Sequence, residues 1–404
     1  MFNVPTTINP TTFFPPSKPL KPLRPPAAAP ALKFDETLAL GATTYGLVET
    51  SDGTTKAITN EYDLALLVLQ IGKFAAQLAK SKETLFSVRK NHYNSKNIIH
   101  CKQLGKLFLQ LFNADIDGIF RHFPAHHFDP HFSAVIDALS NRKLANVTPV
   151  MHTLPDSEIV RLVDTLNGCV TAIRDKVNSA AFKANVRNFR RSAEKNTKEL
   201  HNYIRMLFRD HARILVLRLD LGYRKEFCNG IQKKSDISLK DVKAHWAKLL
   251  KHLDKLLPEK SKIGFARKIE FALLKAHHIH LMLFLDGSIV REDITLARLV
   301  GEAWMSDEIT GGRGIYFNCN AKKDQYTHLG IGMVAHDDLE RRRGLEIAAQ
   351  YLTKPDYHIK LAEQTVGQVF AKGIMPKPKP SRLGRPRKNA KTLAECNVAE
   401  AAAA

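Results

Sequence analysis

The feature with the most chemical content is a histidine pair, His278-Ile279-His280, followed by the apolar run 281–285. In a β-strand, residues two apart lie on the same face, so the two imidazoles would lie side by side and chelate one divalent metal ion. His277 would point to the opposite face and is left out of the pair. Strands also carry histidines for packing and hydrogen bonding, so the pair alone leaves a purely structural interpretation open.

A second chemical feature is Tyr351-Leu352-Thr353-Lys354, further along the chain. In a helix, residues three apart are neighbours, which predicts the phenol and the ammonium on one helix face. A metal that polarises a phosphate, a tyrosine that attacks it and a lysine nearby make a phosphodiester-cleaving site. Because Tyr-x-x-Lys also arises by chance in helices, the order of the two motifs is more informative than either motif alone.

The composition is that of a basic globular protein. The chain has 404 residues, 44% of them hydrophobic, and a formal net charge of +21. The length predicts two folded regions plus tails, and the apolar content is sufficient for a sizeable core. The charge favours a polyanionic partner, nucleic acid before a membrane, although many soluble proteins are merely basic.

The spacing of the cysteines and the hydropathy of the chain indicate in which cellular compartment the protein is expected. The five cysteines are scattered without Cys-x-x-Cys spacing, which favours a reducing compartment and argues against a zinc ribbon or a disulfide scaffold. The longest apolar runs, such as Leu64 to Ile71, are too short to span a bilayer, and the N-terminus lacks a signal-peptide pattern. We therefore expect a cytoplasmic protein without a membrane partner. The absence of a Walker-type motif predicts no helicase domain on this chain.

The N-terminal part divides into a tail and a helical region. Residues 1–35 are rich in Pro, Thr and Ala and are expected to be disordered, whereas residues 36–210 are expected to form a mostly helical domain. Ser179 to Arg209 is a basic helix candidate, in which Arg190 and Arg191 are candidate contacts to DNA phosphates; a solvated helix surface is the alternative.

Residues 121–131 are rich in histidine and form a second possible metal-binding segment. Two prolines and interleaved phenylalanines favour an ordered loop packed on the helices over a metal loop.

From Ile214 onward the pattern alternates between strands and helices. Strands are expected at 214–220, 269–274, 278–285, 314–318 and 329–334, and helices at 239–257, 294–304 and 339–352. The order strand, helix, strand, strand, helix, strand is the split βαβ arrangement of ferredoxin-like antiparallel sheets, with the His-x-His strand third. The prediction is an α+β protein: a helical N-terminal region, then a ferredoxin-like domain at 211–374 with the Tyr351 helix across one sheet face.

Residues 375–404 form a basic, proline-rich tail that is expected to be disordered. Within it, Gly384-Arg385-Pro386-Arg387 is similar to an AT-hook, which lays arginines in a narrow A·T-rich minor groove. Arg385 and Arg387 are therefore candidate DNA contacts, and a generically basic tail is the alternative.

A strand with Glu270, the pair His278 and His280, and then Tyr-x-x-Lys on a late helix together resemble the HUH endonucleases. These enzymes are initiators of rolling-circle replication, with relatives among relaxases and small transposases. More narrowly, the stretch from about Arg213 to Arg387 resembles the YagK/YfjJ C-terminal domain family, which includes gene-two-type replication proteins of filamentous phages and their prophage relatives. The segments that carry the resemblance are 213–223, 278–288, 316–320, 351–355 and 384–387.

The resemblance assigns roles to individual residues. It implies that His278 and His280 are metal ligands and that Glu270, which matches by position only, is a carboxylate ligand. It implies that Tyr351 is the nucleophile that forms a 5′-phosphotyrosine link, and that Lys354 positions or neutralises the phosphate or assists at the metal. Two imidazoles and a carboxylate suit Mn²⁺ or Mg²⁺. No second tyrosine follows at Tyr-x-x-x-Tyr spacing, as in single-tyrosine enzymes.

The function that the resemblance implies is initiation of rolling-circle replication of the phage or prophage type, in the cytoplasm of a bacterial host cell. The reaction would be metal-dependent, site-specific nicking of single-stranded DNA, with rejoining. Its partners would be DNA, single-stranded or as a supercoiled origin, together with host helicase and polymerase. Two alternatives stay open: a non-catalytic, sequence-specific DNA-binding protein, and a single-tyrosine transposase or relaxase-like enzyme.

Overall fold

A computed structural model describes most of the chain between residues 44 and 377. The described residues are 44–50, 53–93, 95–140, 154–228, 236–273, 275–362 and 368–377. All of them belong to one compact unit of the chain, residues 35–404. The expectations for residues 1–35 and for the AT-hook-like segment with Arg385 and Arg387 lie outside the described residues.

Helices and antiparallel strands both contribute, which confirms the predicted α+β class. The helices are α1 (Asn60–Lys80), α2 (Gln103–Gln110), α3 (Ile116–His122), α4 (Pro130–Ser140), α5 (Asp156–Asn178), α6 (Ala180–Asp210), α7 (Leu239–Leu256), α8 (Asp293–Met305), α9 (Asp307–Thr310) and α10 (Leu339–Gln350). The strands are β1 (Gly46–Thr50), β2 (Gly53–Ala57), β3 (Phe86–Lys90), β4 (Asn97–Cys101), β5 (His126–Phe128), β6 (Arg213–Tyr223), β7 (Lys262–Ala272), β8 (Ala276–Asp286), β9 (Gly314–Asn318), β10 (Gly332–Ala335), β11 (Ile359–Leu361) and β12 (Phe370–Lys372).

The central sheet has six strands, and every pair in it is antiparallel. The order is β10-β6-β8-β7-β12, and β9 also pairs with β6. Strand β8, which carries the histidine pair, therefore lies between the two long strands β6 and β7. A central strand is buried on both faces, which explains the nearly continuous burial of β6 and β8.

One face of this sheet is covered by α7 and α8. Helix α7 begins at a capping box formed by Ser238 and Asp241 and ends before Pro258. The apolar side chains that the two helices bury against the sheet are Val242, Trp246, Leu249, Leu253, Leu296, Val300 and Trp304. Ile279, between the two histidines, belongs to the same core, so His278 and His280 lie on the other face.

The other face of the sheet is covered by α6 and α10, which confirms the expectation of a long helix near 179–209 and of a late helix across the sheet. Apolar residues of α6, including Leu200 and Leu207, share a core with Val216 and Met282 of the sheet and with Leu345 of α10. At one end of this face, charged residues replace the apolar ones, and the histidine pair lies there.

The strand at 269–274 was predicted too short, since β7 begins at Lys262. The reason is that β7 carries buried Arg267 and Lys268, whose charges interrupt the apolar alternation on which the prediction relied. The strand predicted at 329–334 begins only at Gly332, as β10.

The region before α6 is mostly helical, as expected, but it also contains short strands that the sequence analysis missed. Strands β1 and β2 pair with each other, as do β3 and β4, and β5 of the histidine-rich segment pairs with β11. These strands have three to five residues each, which is too short for a clear period-two signal. The histidine-rich segment is ordered, as favoured, and its His131 pairs with Asp129 at 2.8 Å.

Among the described residues, helix α1 is long and apolar enough to cross a membrane by length and composition. Half of its apolar window is buried inside the protein, as in core helices of soluble proteins. It packs in an apolar cluster with α4 and α5.

Candidate metal centre and tyrosine segment

Glu270, His278 and His280 form a compact group of potential metal ligands. The register of β7 and β8 places Glu270 opposite His278. Glu270 Oε2 lies 3.2 Å from His280 Nε2 and 3.7 Å from His278 Nε2, and the three ligand atoms all lie within 4.8 Å of one another. The structure thus brings together the three predicted ligands, which are separated in sequence by the turn between two strands.

The orientation of His280 is set by Asp220 on β6. The register of β6 and β8 places these two residues opposite each other, and His280 Nδ1 lies 2.5 Å from Asp220 Oδ1. If Nδ1 carries the proton and donates it to this carboxylate, Nε2 presents a lone pair toward Glu270. Neither His280 Nε2 nor Glu270 Oε2 has a hydrogen-bond partner among the described residues. Two buried acceptors that face each other fit a bound cation.

The carboxylates of this group stay charged despite their burial. Burial by itself raises the pKa of Asp220, but the Lys56 ammonium, together with the hydrogen bond to His280, holds that pKa well below its usual value. Burial likewise raises the pKa of Glu270, and His280 and Lys268 lower it below its usual value. Burial, followed by the charge of the Lys275 ammonium, lowers the pKa of His278 well below its usual value. A charged carboxylate at Glu270 and a neutral imidazole at His278 are the protonation states that metal ligation requires.

Several cations surround the candidate ligands. Lys56 Nζ lies 2.5 Å from Asp220 Oδ2, and Arg218 Nη2 lies 3.4 Å from Asp220 Oδ1. Lys275 Nζ lies 3.4 Å from His278 Nε2, and burial lowers the pKa of Lys275 to about 8. This concentration of positive charge in a mostly buried region suits an anionic substrate such as a phosphodiester.

Lys275 is also expected to compete with a metal ion. Its ammonium approaches the nitrogen of His278 that a metal would use, and it repels a divalent cation at that distance. We expect Lys275→Met to bind Mn²⁺ more tightly than the unchanged protein, by about 10-fold, which corresponds to about 1.4 kcal/mol. Titration of Mn²⁺ followed by electron paramagnetic resonance measures the change. Equal or weaker binding in the variant would show that Lys275 does not oppose the metal.

The tyrosine segment differs from its prediction in one respect. Helix α10 ends at Gln350, Tyr351 caps it, and a separate 3-10 helix, Lys354–Tyr357, follows. The expectation that Tyr351 and Lys354 share one face of a continuous helix is therefore wrong. Proline disfavours the helical conformation in the residue before it, so Pro355 explains why α10 does not continue through Lys354.

The segment that follows Tyr351 nevertheless contacts the strand that carries Glu270. Asp356 pairs with Lys268 of β7, which lies on the same sheet face as Glu270, and both side chains are buried. A cavity of about 40 Å³ is lined in part by Glu270, Lys268, Pro355 and Asp356. The 3-10 helix that follows Tyr351 therefore lies beside the strand that carries Glu270.

Lys354 lies against the long basic helix. Burial lowers the pKa of His201 of α6, and the nearby charges of Lys354 and Arg205 lower it further. Thr353 and Thr197 of α6 are joined by a hydrogen bond of 2.7 Å. Helix α6 thus supports the residues that flank the candidate nucleophile.

The two candidate phosphate contacts on α6 lie in different environments. Arg190 is half-buried, pairs with Asp129 at 3.1 Å and lies over the ring of Tyr357. Arg191 is exposed, as are the basic residues of α6 at 183, 187, 195 and 198. Arg190 therefore has an intramolecular structural role. Arg191 belongs to an exposed basic surface, which is compatible both with contact to DNA phosphates and with a solvated helix face.

Sequence reasoning assigned no role to Asp220, Lys56, Lys268 or Lys275. A signal existed for Asp220, because Arg218 and Asp220 are charged residues at alternate positions of an otherwise apolar strand. No local signal marked Lys56, since its role depends on the docking of a distant hairpin.

The fold and the site define a class of protein: an antiparallel α+β domain whose sheet carries a potential His-His-Glu metal group beside a tyrosine segment. Residues 178–365 match the family model described as the YagK/YfjJ C-terminal domain. The match supports the resemblance to that family for a little under half of the chain. The match begins just before α6, which packs on the sheet, rather than at Arg213, and it ends before the basic tail. Neither the curated proteins nor the solved structures contain a match to this chain.

Proposed function

We propose that this protein is a metal-dependent, single-tyrosine DNA endonuclease of the HUH type that initiates rolling-circle replication of a phage or prophage. The observation that carries the proposal is the convergence of His278, His280 and Glu270, with two acceptor atoms aimed at each other, on the sheet face that the tyrosine segment approaches.

The topology supports the proposal. Strands β9, β6, β8 and β7 lie side by side in that order, and α7 and α8 connect successive strands and pack on one face. This is the strand order of a ferredoxin-like split βαβ sheet, with β8 as the third strand of the unit. A fold alone does not define an activity, so the proposal depends on the residues of the site.

The residues present fit a divalent ion such as Mn²⁺ or Mg²⁺, held by Glu270, His278 and His280. When bound, the ion would supply Lewis-acid polarisation of the scissile phosphate. Asp220 would keep His280 oriented, and the buried cations around the group would stabilise negative charge on the phosphate.

In the proposed reaction, the phenolic oxygen of Tyr351 attacks phosphorus. The phenol gives up its proton, a P–O bond to the tyrosine forms, and the bond from phosphorus to the 3′-oxygen breaks. The 3′-oxygen takes up a proton and leaves as a hydroxyl, so the net transfer is one proton from the phenol to the leaving group. The phenol has an ordinary pKa near 10, so a nearby positive charge such as that of Lys354 is needed to favour the phenolate. The phosphotyrosine conserves the energy of the phosphodiester, so the 3′-hydroxyl can reverse the step and rejoin the strand.

The partner of the site is DNA. The net charge of +21 and the exposed basic face of α6 favour a polyanion. Because phosphate contacts release counterions, binding should weaken steeply as salt is raised. Host helicase and polymerase would act on the nicked product, in the cytoplasm of a bacterial cell.

The direct test is a search for a covalent adduct. The purified protein is mixed with labelled single-stranded oligonucleotides tiled across the neighbourhood of its own gene, with Mn²⁺ or with EDTA, and separated under denaturing conditions. We expect an adduct that resists SDS, together with a shortened oligonucleotide, only when the metal is present.

Salt-sensitive DNA binding without cleavage or adduct on any oligonucleotide, by folded protein that binds Mn²⁺, would overturn the nuclease proposal. That result would favour the non-catalytic DNA-binding protein instead. Cleavage confined to the ends of a mobile element would favour the transposase over the replication initiator.

A further inference from the structure

A hairpin from outside the family-matched region reaches the candidate metal centre. Strands β1 and β2 form this hairpin, and Lys56 lies near its end. The family match begins at residue 178, so the hairpin is an addition of this chain's N-terminal part to the site. Its Lys56 ammonium lies 2.5 Å from Asp220 Oδ2, the oxygen that does not contact His280.

The hairpin is docked at several points. Leu47 of β1 packs against the core between the sheet and α6. Glu49 of β1 pairs with Arg224, just past β6, at 3.3 Å. The Lys56 side chain is 22% exposed, and its ammonium lies 4.6 Å from the centre of the Phe317 ring. Lys56 is thus held on two sides, by a carboxylate and by an aromatic face.

The contact of Lys56 with Asp220 bears on the metal ligand. Asp220 is only 4% exposed, and a buried carboxylate needs compensating charge. Lys56 is closer to this carboxylate than Arg218 is. Lys56 Nζ lies 2.5 Å from Asp220 Oδ2, whereas Arg218 Nη2 lies 3.4 Å from Asp220 Oδ1. Removing Lys56 would leave Oδ2 without its ion pair and would free the carboxylate to turn toward Arg218. Oδ1, which orients His280, would then leave its position.

We propose that Lys56 is a positioning residue of the metal centre: through Asp220, it holds the imidazole of His280 with Nε2 facing Glu270. This inference rests on the metal site of the proposed function. It adds that the N-terminal hairpin, which lies outside the matched residues, completes the site.

The test is Mn²⁺ binding by the full-length protein, measured without DNA by electron paramagnetic resonance. Partners that orient a metal-bound histidine typically contribute about 10- to 100-fold to affinity. We expect Lys56→Met and Lys56→Gln to weaken Mn²⁺ binding within that range, and Lys56→Arg to restore most of it because the charge returns. Lys255→Met, at an exposed position of α7, is the matched control and should bind Mn²⁺ as the unchanged protein does.

A double-mutant cycle separates positioning from a general effect on folding. In an Asp220→Asn background, Lys56→Met should cause little further loss of Mn²⁺ affinity, because the contact through which it acts is already changed. Unchanged affinity in both Lys56→Met and Lys56→Gln would overturn the inference and leave the proposed function standing. An additive loss in the cycle would overturn it in the same way. Absence of Mn²⁺ binding by the unchanged protein would overturn the metal site and the inference together.

Discussion

Replacing Tyr351 with phenylalanine is expected to abolish nicking and the covalent adduct while DNA binding remains. The substitution removes only the phenolic oxygen, which is the atom that forms the bond to phosphorus, so no alternative route through this residue exists. Loss of a nucleophile typically costs several orders of magnitude in rate, and we expect a decrease of at least about 10⁴-fold. Single-turnover cleavage of a labelled oligonucleotide measures the rate, and fluorescence anisotropy measures the binding.

The matched control is Tyr357→Phe, in the 3-10 helix that follows. Tyr357 lies under Arg190 and against α6, so its ring is used in packing within the protein. We expect this variant to keep both cleavage and adduct. Nicking that survives in Tyr351→Phe but disappears in Tyr357→Phe would transfer the nucleophile to Tyr357.

The second large effect is expected at the metal ligands. His280→Ala removes an imidazole that faces Glu270 and that Asp220 orients, and His278→Ala removes its neighbour on the same sheet face. Each variant should weaken Mn²⁺ binding by more than about 100-fold, a larger loss than that expected for a residue that only orients a ligand. Cleavage should fall with it. Calorimetric titration and the adduct assay measure the two effects.

His277→Asn provides a control at the residue that directly precedes His278. His277 lies on the opposite side of β8, where its ring packs against Phe271 and Nδ1 lies 3.4 Å from the carbonyl oxygen of Ile237. This variant should bind Mn²⁺ normally even if its free energy of unfolding falls. Equal losses of metal affinity in His277→Asn and His280→Ala would show that the effect is one of folding, and the assignment of the ligands would fail.

Much of the fold was predictable because it follows from local periodicity. The strand at 314–318 and the helices near 239–257 and 294–304 were predicted to within a residue or two, since each has a clear apolar period and a proper beginning or end. The predicted elements were wrong where buried charges or a proline had a larger effect on the backbone than the apolar periodicity did. Buried charges disguised the first half of β7, and the break between α10 and the 3-10 helix places Tyr351 and Lys354 on separate elements rather than on one helix face.

The amino-acid sequence by itself determined which chemical groups share a face. A strand alternates its side chains, so His278 and His280 had to lie together and His277 apart from them, whatever surrounded the strand. The sequence also determined the net charge of +21, which favours a polyanionic partner. The shared face depends on the local spacing of residues, and the net charge is a sum over the composition, so neither requires knowledge of the tertiary structure.

Only the tertiary structure decided which groups meet across elements. The register of β6, β7 and β8 places Asp220 and Glu270 beside the histidine pair, and a one-residue shift would have sent either carboxylate to the opposite face. The docking of the N-terminal hairpin brings Lys56 to Asp220. Such contacts depend on packing between segments far apart in the chain, and no local pattern of residues encodes them.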